Sequence, residues 1–68
     1  MDEYTIYWWT ITGADSDLCG EMFFTELNGE ANALDHLSYA KEIFPNEKLY
    51  CFGQITADEA DCMGYDTY

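Results

Sequence analysis

The side chains able to do chemistry are one histidine, His36, three cysteines, Cys19, Cys51 and Cys62, and fourteen carboxylates. A cysteine nucleophile works as its thiolate, activated by an imidazole or a cation, and a formal charge of −12 opposes forming that anion. His36 with any of the cysteines is therefore a poor candidate for a hydrolase. It sits at the edge of an apolar stripe and reads as a boundary residue. Zinc ligands come in pairs separated by roughly two to five residues, and no C-x-x-C pair is present. Asp15-Ser16-Asp17 opens like a calcium loop, with Gly20 and Glu26 where its glycine and last glutamate belong. Cys19 stands where the third oxygen is required, and Glu26 falls in a stretch with strand character, so the segment reads as an Asx-capped turn. Neither a phosphate-cradling glycine loop nor G-x-S-x-G occurs. No enzymatic activity, cofactor or metal is expected.

What remains is charge. Fourteen Asp and Glu stand against two Lys and no Arg, which works against nucleic acid or an anionic membrane as direct ligands and favours a basic protein. Carboxylates about 6–10 Å apart on helices and loops can imitate the field of a strand carrying one charge per ~3.4 Å. The expected surface comprises Asp15, Asp17, Asp35, Glu42, Asp58, Glu59 and Asp61, and the partner is a basic, nucleic-acid-binding protein. The plain alternative is a hydration coat, for solubility or adaptation to salt. The second functional alternative is an aromatic sheet face, Tyr7, Trp9, Tyr50 and Phe52, serving partner binding or a homodimer.

These residues need elements to hold them. Tyr4 to Thr12 is an unbroken run of β-branched and aromatic residues, the preference of a central strand apolar on both faces. Gly13 to Gly20 has loop chemistry, and Glu21 to Leu27 reads as a second strand, ended by Asn28-Gly29. Glu30 to Phe44 carries a helical period, with Ala33, Leu37, Ala40 and Phe44 in one stripe and Asp35 and Glu42 opposite. Asn28 or Gly29 is expected to cap it, Glu30 and Lys41 to complement the dipole, and Pro45 to end it. Lys48 to Ile55 alternates as a third strand, Leu49, Cys51, Gly53 and Ile55 on one side and Tyr50 and Phe52 on the other, beside Tyr7 and Trp9. Thr56 to Glu59 matches a capping box opening a short helix from 57 to 63, stopped by Gly64.

Together these predict a single α+β domain over 1–68, ββαβα, with a three-stranded sheet in the order 2-1-3 and the long helix on one face. The second face must be covered by the short helix and the last residues, by another copy, or by a partner. Unpaired cysteines imply reduced thiols, and the absence of a signal-like or membrane-spanning run predicts a cytoplasmic protein.

The segments Phe44-Pro-Asn-Glu-Lys-Leu-Tyr-Cys-Phe-Gly53 and Ile55-Thr-Ala-Asp-Glu-Ala-Asp-Cys-Met-Gly-Tyr-Asp-Thr-Tyr68 resemble the ends of uncharacterised short acidic proteins of phages and conjugative elements. In size and charge the chain is similar to DNA-mimic inhibitors of host defence, including anti-restriction and anti-CRISPR proteins. That resemblance implies an inhibitor of a nucleic-acid-binding protein and assigns no residue.

Overall fold

A computed structural model describes residues 3–68. The fold is α+β: β1 (Tyr4–Ile11), β2 (Met22–Asn28), α1 (Ala33–Ile43), β3 (Leu49–Ile55), α2 (Ala57–Met63) and β4 (Asp66–Thr67). The sheet has four strands, in the order β3-β1-β2-β4, not three. The extra strand is a two-residue piece, too short to show any period, that runs parallel to β2. It is held where Tyr68 N–H donates to the Phe24 carbonyl and Glu26 N–H to the Tyr68 carbonyl, both at 2.9 Å.

β1 lies between β2 and β3 and is antiparallel to both. Its alternating side chains feed two cores. Trp9 and Ile11 join Phe23 and Ala40, with Tyr7, Leu37, Phe44, Leu49 and Cys51 packed around them, on the α1 face. Ile6 joins Phe24 and Ala60, with Trp8, Ile55 and Met63, on the α2 face. The two helices therefore cover opposite sides of the sheet.

α1 begins at Ala33, later than its apolar period suggests, because Asn32 and Asp35 form a reciprocal capping box. Asp35 N–H donates to Asn32 Oδ1 at 3.0 Å and Asn32 N–H to Asp35 Oδ2 at 3.1 Å, so neither Asn28 nor Gly29 is the cap. Leu34 is 70% exposed, and Ala33 is exposed as well. The buried face turns instead toward His36, which has no exposed surface and is a core residue, not a boundary one. Lys41 is in the last turn, and the helix stops at Phe44, immediately before Pro45.

α2 begins as its capping signal requires. Thr56 Oγ1 accepts the Glu59 N–H at 3.2 Å, while its own hydroxyl, not the cap amide, is taken by Glu59 Oε1. Gly64 closes the helix at φ 73°, a left-handed position that favours glycine. In the loop after β1, the turn is organised by Ser16, not by an aspartate: its hydroxyl accepts the Leu18 N–H at 3.0 Å, and its own N–H donates to the Gly13 carbonyl. Among the described residues no helix is long and apolar enough to cross a membrane.

Candidate interaction surface

His36 is consumed by structure. Its Nε2 is 2.7 Å from Thr5 Oγ1 and its Nδ1 is 2.7 Å from Thr25 Oγ1, which also accepts the Trp9 indole N–H at 2.8 Å. Thr5 Oγ1 donates to the Ala31 carbonyl at 3.3 Å. One assignment uses every donor once: Trp9 Nε1–H to Thr25, the Thr25 hydroxyl to His36 Nδ1, His36 Nε2–H to Thr5, and the Thr5 hydroxyl to Ala31. It requires a neutral imidazole with its proton on Nε2. Burial lowers the His36 pKa from 6.5, against the opposing pull of the Asp35 carboxylate. The Tyr7 ring lies on the imidazole, with centroids 4.3 Å apart.

The cysteines have no activating neighbour in this network. Cys19 and Cys62 are exposed, and Cys51 packs in the α1-side core, where burial pushes its thiol pKa up. Surface hollows of about 470, 310 and 190 Å³ are lined by neither His36 nor a cysteine. Among the described residues, no group of three His, Cys, Asp or Glu is placed to hold a metal ion.

The aromatic face differs from the expected set in half its members. Tyr50 and Phe52 do lie away from α1, but Tyr7 and Trp9 point to the α1 side, Trp9 only 2% exposed. Trp8 takes their place. Its ring stacks on Phe52 at 4.2 Å and 29°, Phe52 meets Tyr50 edge-on at 5.3 Å, and Tyr65 lies 6.5 Å from Trp8 on the other side. Tyr50, Phe52 and Tyr65 are 56%, 44% and 41% exposed. Trp8 Nε1 is buried and has no hydrogen-bond partner among the described residues.

A bulge makes this row. Trp8 pairs with Gly53 and Trp9 with Cys51, leaving Phe52 as the extra residue on β3. One inserted residue sends every later side chain to the other face, so Ile55 packs with Ile6 on the α2 side, not with Leu49 and Cys51. Gly53, at φ 127°, supplies a backbone conformation that side-chain-bearing residues rarely adopt. A glycine inside an alternating strand is the sequence signal for such a bulge.

Of the fourteen carboxylates, Asp2 lies outside the described residues, Glu47 is half-buried, and the others are exposed. The expected acidic surface is not one surface. Asp15 and Asp17 are in the β1–β2 loop, Asp35 and Glu42 on α1, and Asp58, Glu59 and Asp61 on α2, across the sheet from α1. Asp35 and Glu59 are also engaged in their helix caps. Glu26, paired with Ile6 and so on the α2 side, is an acidic neighbour outside the expected set. The α2 side thus combines carboxylates with the exposed rings. Fold and surface define a small acidic α+β domain with an aromatic face. No family model, curated protein or solved structure matches the chain.

Proposed function

We propose that this chain is a non-enzymatic, cytoplasmic, acidic interaction protein that occupies the basic surface of a nucleic-acid-binding protein, as a mimic of the nucleic acid's charge. The observation that carries this is the exposure of twelve of its carboxylates, spread over the loops and both sides of the sheet, with only Lys41 and Lys48 to balance them. Charge held at the surface costs little desolvation and acts at a distance on a basic partner. His36, the one imidazole, is committed to Thr5 and Thr25, which supports a binding role over catalysis. Its size and charge, similar to those of DNA-mimic inhibitors, suit an inhibitor or modulator of that partner. Immobilised chain exposed to a nuclease-treated host lysate is expected to retain basic proteins that elute early in a salt gradient. Retention of neutral or acidic proteins that elute only in denaturant would overturn the proposal.

A second reading has its own observation. The exposed Tyr50, Phe52 and Tyr65 beside Trp8 suit an accessory subunit that oligomerises through this face, its charge serving solubility. Association of that kind strengthens or holds steady as salt rises, where charge-driven binding weakens.

A further inference from the structure

The α2 side of the sheet is only partly covered. Paired residues cross it in rows: Ile6 with Glu26 and Ile55, Trp8 with Phe24 and Gly53, Thr10 with Met22 and Tyr50. α2 completes its core over the first two through Ala60 and Met63. The third row lies beyond that core, next to the Phe52 ring that the bulge lays on Trp8. The result is an open aromatic row, with the carboxylates of α2 and Glu26 on the same side of the sheet.

We propose that Tyr50 and Phe52, backed by Trp8, form the docking site for an arginine-bearing segment of the basic partner, its guanidinium planes lying on the exposed Tyr50 and Phe52 rings. This rests on the charge-driven function proposed above and names where and how the partner is gripped. Charge decides the occupant. A second copy would bring another −12 against this one, whereas a cationic segment is attracted by the whole molecule and by the ring faces. The bulge also blunts the outer edge of β3, which disfavours pairing of that edge with another copy. Arginine suits the site better than lysine, because its planar, weakly hydrated cation stacks on aromatic faces, while an ammonium remains strongly hydrated.

Nonaarginine and nonalysine peptides carry equal charge, but arginine also pairs bidentately with carboxylates, so stacking is isolated by how far Tyr50→Ser removes the preference for arginine. Each is titrated into the whole chain in about 50 mM salt, by calorimetry and by following the indole N–H resonances. The wild-type chain is expected to bind nonaarginine several-fold more tightly and to shift Trp8 while leaving Trp9 in place. Tyr50→Ser should weaken nonaarginine about two- to fivefold with little change for nonalysine, and Leu34→Ser, on the opposite side, should change neither. Equal binding of both peptides, with Trp8 unmoved and Tyr50→Ser silent, would overturn the docking site and leave the charge-based function standing. Binding of neither peptide would overturn both. A dimer that Tyr50→Ser dissolves would assign the row to self-association and overturn the proposal. The Trp8 shift is read on the unmodified chain, so the test survives a variant that fails to fold.

Discussion

Thr25 Oγ1 stands 2.7 Å from His36 Nδ1, joining the middle of β2 to the first turn of α1 through two side chains that have no exposed surface. The same oxygen takes the Trp9 indole proton. A core of this size would ordinarily exclude a histidine, since a buried polar group without partners costs about 1–3 kcal/mol. Here both ring nitrogens are satisfied, and the helix rotates its polar residue inward instead of Leu34.

Thr25→Val keeps the shape and removes the hydroxyl. It strands the Trp9 N–H and His36 Nδ1 together, so unfolding in urea is expected to show a loss of about 2–4 kcal/mol. A loss under 0.5 kcal/mol would mean that the chain of hydrogen bonds contributes nothing.

His36 also sets a pH dependence. Its folded pKa is lowered by burial, so between that value and the ordinary 6.5 the unfolded chain binds the extra proton. Stability from the neutral ring is complete above about 6.5 and is lost as pH falls from there through the folded pKa. Below the folded pKa this group causes no further loss. Urea midpoints should fall between about pH 7 and pH 5.5, and His36→Gln, although less stable, should lack that slope. An equal slope in both would place the titration elsewhere.

Gly53→Ala tests the bulge. The added methyl meets no atom within 4 Å, so the cost is that of the backbone alone at φ 127°, about 1–3 kcal/mol. Loss of the Trp8–Phe52 stack should accompany it, read as a shift of the Trp8 indole resonance. A variant as stable as the parent would show that β3 tolerates another geometry there.

Much of this fold is written locally. The β-branched and aromatic run fixed the place of β1, Thr56, Glu59 and Gly64 gave both ends of α2, and Pro45 gave the end of α1. The misassignments have particular causes. Alternation carried across Gly53 put Ile55 on the wrong face, because a bulge changes register without changing composition. Tyr7 and Trp9 lie opposite Tyr50 and Phe52, a division the composition of β1 conceals, because a run apolar on both faces does not say which parity meets the helix. The burial of His36 depended on Thr5 and Thr25, hydroxyls far off in sequence that no helical period can reveal. Charge was legible as a total but not as a surface, since the placement of α1 and α2 on opposite sides divides Asp35 and Glu42 from Asp58, Glu59 and Asp61.

The most direct measurement is the dissociation constant for a captured basic protein, purified and titrated at about 50 and 300 mM salt, with the parent chain and with Asp58→Asn/Asp61→Asn. Recognition by charge predicts a loss of tenfold or more in affinity across that salt range, and a smaller loss in the variant, which has fewer carboxylates to screen. An affinity that stays flat with salt in both chains would contradict it, leaving the carboxylates as a hydration coat.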